Sequence, residues 1–134
     1  MITNADITIY NRKTNKETRL DEWKRTVIKG VHYFVDNKVT VGEKGMFSAD
    51  VHKIRIPEEV EVADKYLSPD KYLTVEDRTQ YWTLRNDDIV VRGVCNIDIE
   101  KPADLKAQGI EYCKIVSWSD NRRGMTPHWR IGGE

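Results

Sequence analysis

Strict alternation in the last third of the chain sets the strongest limit on its fold. Asp88-Ile89-Val90-Val91-Arg92-Gly93 leads into Tyr112-Cys113-Lys114-Ile115-Val116-Ser117-Trp118-Ser119, a polar stretch Asp120-Asn121-Arg122-Arg123-Gly124, and His128-Trp129-Arg130-Ile131. Apolar residues at every second position suit a sheet with one buried face, and the Asp-Asn-x-x-Gly cluster suits the turn between two strands. The pattern predicts a strand-turn-strand unit with a basic tip, and hence a mainly β chain: a small antiparallel β-barrel.

Earlier segments agree with that reading. Ile7-Thr8-Ile9-Tyr10 alternates and stops at the polar cluster Asn11-Arg12-Lys13-Thr14-Asn15-Lys16, which reads as a turn. Between Val27 and Val35 the alternation resumes, with Gly30 marking a bulge or bend. Asp36-Asn37-Lys38 and Gly42-Glu43-Lys44-Gly45 punctuate a short edge strand, Val39-Thr40-Val41. The next strand, from Met46 to Pro57, changes parity between Val51 and Ile54, which predicts a bulge near His52 or Lys53. Cys95, Ile97 and Ile99 alternate with Asn96, Asp98 and Glu100 as a further half-buried strand. Pro102, Asp104 and Gly109 frame one short helix. Gly132-Gly133-Glu134 reads as a loose tail.

Residues 58–80 break the pattern. Asp64-Lys65-Tyr66-Leu67 is echoed by Asp70-Lys71-Tyr72-Leu73 around Ser68-Pro69. This is a long mid-chain loop, and excursions of that length are functional or disordered more often than idle. The aromatic residues Tyr66, Tyr72, Tyr81 and Trp82 favour order, either as a contact surface for a partner or as packing against the barrel.

At 134 residues the chain is one ordinary domain, residues 1–134, large enough to bury a core without disulfides or metal. No apolar run reaches the length of a membrane span and the first residues lack a signal pattern, which predicts a cytoplasmic protein. Cys95 and Cys113 lie in apolar runs and predict buried free thiols. The formal net charge is zero, which argues against a general nucleic-acid coat or a membrane-surface protein.

That charge is unevenly spread. Residues 11–29 carry seven basic side chains against three acidic, whereas residues 58–77 carry seven acidic against two basic. Opposed segments of this kind, with Lys24 and Arg25 among the cations, could match head to tail between copies, or could be solvated surface.

Catalytic signals are absent from the pattern. His32, His52 and His128 have no metal-ligand spacing, Gly42-x-x-Gly45 is too short to cradle phosphate, and no serine stands in a nucleophile elbow. Asp87-Asp88 follows Asn86 and reads as a turn rather than a catalytic carboxylate pair. The residues therefore predict no enzyme, no catalytic group, no metal and no cofactor. Arg122 and Arg123 at the hairpin tip are the local basic feature, suited to phosphate or to a carboxylate-bearing partner, or simply to a solvated turn.

Two stretches carry a resemblance. Ile2-Thr3-Asn4-Ala5-Asp6-Ile7-Thr8-Ile9-Tyr10-Asn11 with Glu17-Thr18-Arg19-Leu20-Asp21-Glu22-Trp23-Lys24-Arg25-Thr26-Val27-Ile28-Lys29-Gly30-Val31-His32 resembles an uncharacterised family of small proteins from phages and prophages of Gram-positive, largely clostridial, bacteria. The closing segments Asn86 to Gly93 and Ser117 to Gly124 fit the same family. More distantly, the order of parts is similar to phage head-closure or head–tail joining proteins. That resemblance implies a virion structural protein, a head–tail connector or minor capsid component acting in a homo-oligomeric ring. Its partners would be portal, adaptor and tail-completion proteins, and DNA would at most pass through a channel. It also implies residence in the host bacterial cytoplasm during assembly and then in the virion. Lys24, Arg25, Tyr66, Tyr72, Arg122 and Arg123 are the candidate partner contacts. The alternative from the residues alone is a small nucleic-acid-binding barrel, with Arg122, Arg123 and Trp118 contacting a single strand of DNA.

Overall fold

A computed structural model describes residues 3–14, 17–42, 45–60, 62, 64–75 and 80–134, with the backbone alone for 36–42 and 45–50. Among these residues the elements run β1 (Ala5–Thr14), β2 (Asp21–Gly42), β3 (Gly45–Pro57), β4 (Lys65–Tyr66), α1 (Pro69–Thr74), β5 (Tyr81–Trp82), β6 (Ile89–Arg92), α2 (Ala103–Ala107), β7 (Cys113–Asp120) and β8 (His128–Gly133). Six strands close into a barrel in the order β1-β2-β3-β8-β7-β6. All its neighbouring pairs are antiparallel.

Alternation explains the interior. Ile7, Ile9, Ile28, Val31, Tyr33, Ile54, Ile56, Val90, Ile115, Trp129 and Ile131 all point into one cluster. Closure removes most sheet edges, which is how a sheet this small can bury such a face without offering its backbone to other chains. β1 runs past the predicted turn to Thr14, because Asn11 through Thr14 pair in register with Lys24 through Asp21. Gly30 is the predicted bulge: the pairs Ala5–Val31 and Asp6–Lys29 skip it. Its φ of +87° suits glycine, and its N–H donates to Asp6 Oδ1 at 3.1 Å.

A second layer lies outside the wall. The other face of β1 carries Thr8 and Tyr10, both fully buried, under the segment that follows β6. Gly93, with φ +95°, turns that segment off the sheet. The alternation at Cys95, Ile97 and Ile99 predicts a strand, and here the structure differs: burial alternates, yet no ladder forms. Side chains of β1 take the ladder's place. Thr8 Oγ1 donates to the Gly93 carbonyl and accepts from the Cys95 N–H, both at 2.9 Å. The Tyr10 hydroxyl lies 2.6 Å from the Ile97 carbonyl. Leu105 of α2, the predicted helix, completes this layer with Ile89, Val91, Cys95 and Ile99.

Three further expectations are corrected. Asp36-Asn37-Lys38 does not interrupt β2, whose pairing with β3 runs unbroken from His32–Arg55 to Gly42–Gly45. No bulge occurs at His52 or Lys53, since register is constant with both β2 and β8; Val51 simply lies on the opposite face from Ile54 and Ile56. Gly132 and Gly133 are not a loose tail but the end of β8, where a Cβ on Gly133 would come 2.7 Å from Cys113 Sγ. Glycine is what lets β7 and β8 approach at that point.

The mid-chain excursion is more ordered than its sequence suggests. It contains α1 and the strand β4, which pairs in parallel with β5. Two short helices are therefore present among the described residues, not one. Glu61, Glu76 and Asp77, part of the acidic run, and the predicted turn at Glu43-Lys44 lie outside the described residues.

Candidate interaction surfaces at the two ends of the barrel

The barrel has two dissimilar ends. At the first, where β3 ends and β8 begins, the excursion folds back as a plug. Tyr66, Trp82 and Trp129 meet with ring centroids 5.0–5.1 Å apart in tilted and edge-on arrangements, the geometry aromatic quadrupoles prefer. Tyr72 of α1 is fully buried. Burial pushes the hydroxyls of Tyr66 and Tyr72 up to about 12. Tyr66 and Tyr72 are thus packing residues rather than a surface offered to a partner.

The charged candidates at this end also have internal work. Lys24 Nζ lies 2.6 Å from Asp64 Oδ2 and also donates to the Tyr81 carbonyl. The basic and acidic segments meet inside one molecule, between β2 and the excursion. Arg25 is half-buried and faces the outer layer, its Nη2 3.7 Å from Asp98 Oδ1. Arg122 holds Asp120 through Nε and Nη2, at 2.9 and 2.7 Å. Its guanidinium stacks 5.0 Å from the ring centroids of both Tyr66 and Trp129. The Arg122 hydrogen bonds hold the Asp120 carboxyl below its ordinary range. Arg122 is a lid on the aromatic plug, and Arg123 beside it is exposed at the tip.

Under the plug sits a buried carboxylate. Asp88 accepts from Asn11 Nδ2 at 2.9 Å and from the Arg12 N–H at 3.1 Å, while Asn11 also donates to the Thr83 carbonyl. Burial outweighs these donors and pushes Asp88 up to about 6. The turn expected at Asn86-Asp87-Asp88 is present, with Asp87 at φ +74°. Its second aspartate ties β1 to the loop before β6.

The opposite end is open. Beyond Val31, β2 has lost β1 as a neighbour, and beyond His52, β3 has lost β8. The two strands continue together for seven further pairs, from Asp36–Val51 to Gly42–Gly45. At about 3.3 Å per residue the ribbon projects roughly 20 Å from the barrel. At its root the Asn4 carboxamide replaces a peptide unit: Nδ2 donates to the Tyr33 carbonyl at 3.1 Å and Oδ1 accepts from the Tyr33 N–H at 2.9 Å.

A cleft of about 700 Å³ opens beside this root, lined by Tyr33 and Val35 of β2, His52 of β3, Arg92 of β6, and Lys106 and Tyr112 from α2 and the loop after it. Tyr33 and His52 share a hydrogen bond of 2.7 Å between the hydroxyl and Nδ1, and the Arg92 guanidinium lies 5.1 Å from the Tyr33 ring centroid. Burial pushes the Tyr33 hydroxyl up, and pushes the Cys113 thiol beneath it up to about 11. Cys95 and Cys113 are the buried free thiols expected, and the upward shift of Cys113 keeps that thiol protonated at neutral pH. Among the described lining residues Arg92 and Lys106 are the cations and Glu111 is the carboxylate. Such an arrangement offers charge and hydrogen-bonding groups to a ligand. No local motif marks its residues, because they come from four separated segments and meet only when the barrel closes.

Among the described residues no helix is long and apolar enough to cross a membrane, and no group of three or more metal-ligating side chains is brought together. The family model described as "Family of unknown function (DUF6751)" matches residues 2–134. No curated protein and no solved structure matches the chain.

Proposed function

We propose that this chain, which belongs to that family of unknown function, is a phage or prophage structural protein that acts by assembly as a component of the head–tail connector. One observation carries the reading: the β2–β3 ribbon that leaves the barrel for seven strand pairs. Its backbone pairs lie beyond the last ones that β2 makes with β1 and that β3 makes with β8. An isolated two-stranded ribbon is marginal in water, and its outer edges are templates for pairing. A small closed barrel with one such arm suits a subunit that finishes folding against its neighbours. The sequence resemblance to phage head-closure proteins supplies the setting: a ring that joins portal and tail proteins in the virion, assembled in the host cytoplasm, with DNA passing through it. Heterologous contacts of this kind close rings.

The rival reading, single-stranded nucleic acid held by Arg122, Arg123 and Trp118, is less well supported, because Arg122 is already committed to Asp120 and the aromatic plug. Mass spectrometry of purified, DNA-filled particles of the parent phage tests the proposal. The chain is expected there, encoded between capsid and tail genes; its absence from such particles overturns the connector role.

A further inference from the structure

The free edge of β2 beyond Tyr33 continues the line that β1 vacates. In an antiparallel pair, successive residues turn their N–H and C=O groups alternately to one neighbour and the other. Val31 accepts from the Asn4 N–H, and Tyr33 exchanges both its groups with the Asn4 side chain. Beyond the Gly30 bulge the odd-numbered residues of β2 therefore face the β1 side. Next on that side is Val35, which is 43% exposed and whose backbone groups, by the same alternation, turn away from β3. Asn37, Val39 and Val41 follow by the same alternation.

We infer that this edge, together with the basic cleft beneath it, is a docking site for an extended acidic segment of a partner protein, which adds as a strand to β2. Backbone pairing would extend the two bonds that the Asn4 carboxamide already makes. In an added strand every second side chain falls on the face that Tyr33, Val35 and His52 share. That face overlooks the cleft, where among the described lining residues Arg92 and Lys106 stand against Glu111. Carboxylates at alternate positions meet cations there, and lysines at the same positions are repelled. The inference rests on the assembly reading only for the existence of a protein partner. Its test uses the isolated protein, so the two can fail separately.

A fluorescein-labelled peptide of alternating valine and glutamate is titrated against the protein, with the valine–lysine peptide as control. The glutamate peptide binds and the lysine peptide does not. Val35→Pro removes one outward N–H and no β2–β3 bond, a place where an edge strand tolerates proline; the fold is kept and affinity falls at least about tenfold, the equivalent of roughly 1.4 kcal/mol. Should Val35→Pro fail to fold, Lys106→Glu, on the exposed face of α2, weakens the same binding. Equal binding of both peptides, no binding of either, or no effect of the two substitutions overturns the inference. Self-association that Val35→Pro abolishes, without peptide binding, overturns it in favour of a second copy.

Discussion

The two ends of the barrel are built from the same strands and treat polar groups in opposite ways. At the plugged end charges and aromatics are consumed internally: Lys24 by Asp64, Arg122 by Asp120, Tyr66 by Trp82 and Trp129. At the open end the strands outrun their neighbours, and among the described lining residues of the cleft cations outnumber carboxylates by Arg92 and Lys106 to Glu111. Conspicuous residues are therefore spent largely on internal contacts at the plugged end. The excursion that stands out in the sequence is a stopper, and the docking surface we propose is made of groups that the stopper does not reach.

The largest expected effect belongs to the plug. Trp129→Ala removes the ring that Tyr66, Trp82 and Arg122 all contact, and is expected to cost about 3–5 kcal/mol in urea unfolding. Val35→Pro, at the open end, is expected to stay within about 1 kcal/mol of the parent. Comparable losses at both ends would erase the contrast.

Asp88 gives the next effect, and its sign can be worked out. Its folded value of about 6 lies above the ordinary 3.8, so the folded state binds the proton more tightly than the unfolded chain. The stability this supplies is complete below about pH 4 and is lost as pH rises through 6. A shift of about two units corresponds to roughly 3 kcal/mol. The difference in unfolding free energy between the parent and Asp88→Asn, followed from pH 4 to 7, should fall over that window; a flat difference would mean that the carboxylate under the plug is as well solvated as one in water.

Charge reversal at Lys24 is expected to destabilise the monomer by about 1–3 kcal/mol, because it leaves Asp64 beside a like charge and the Tyr81 carbonyl without its donor. Self-association should not change. The opposite outcome, unchanged stability with weakened association, would return Lys24 to the surface role its charge pattern suggests. Arg122→Ala should have the smallest effect, under about 1 kcal/mol, since its ion pair is exposed; a much larger loss would make the lid a structural part of the plug.

Much of the barrel is legible in the sequence because its signal is local. Ile7 and Ile9, Ile54 and Ile56, and Ile115 beside the Trp129-Arg130-Ile131 run announce their strands through period-two alternation, and Gly30 announces its bulge. What escapes is decided by partners far along the chain. Asp36-Asn37-Lys38 looks like a break until pairing with Ala49 to Val51 overrides their turn preference. Cys95 to Ile99 alternates like a strand because its burial alternates, yet the side chains of Thr8 and Tyr10 have taken the ladder's place. The open-end site was silent for the same reason: Asn4, Tyr33, His52, Arg92 and Lys106 carry no shared spacing.

The bonds that fasten the outer layer to β1 also have a bearing on the order of events during synthesis. Thr8 and Tyr10 find Gly93, Cys95 and Ile97 across 85–87 residues of chain, and β6, the second neighbour of β1, is nearly as remote. While the ribosome is still making the excursion, β1, β2 and β3 can form only as nested hairpins with both faces of β1 wet. Closure must wait for the final third to emerge, and contacts of such long range make folding slow. For that interval the nascent meander is all edge, and the unfinished barrel is the form of this protein most exposed to mispairing with its own copies.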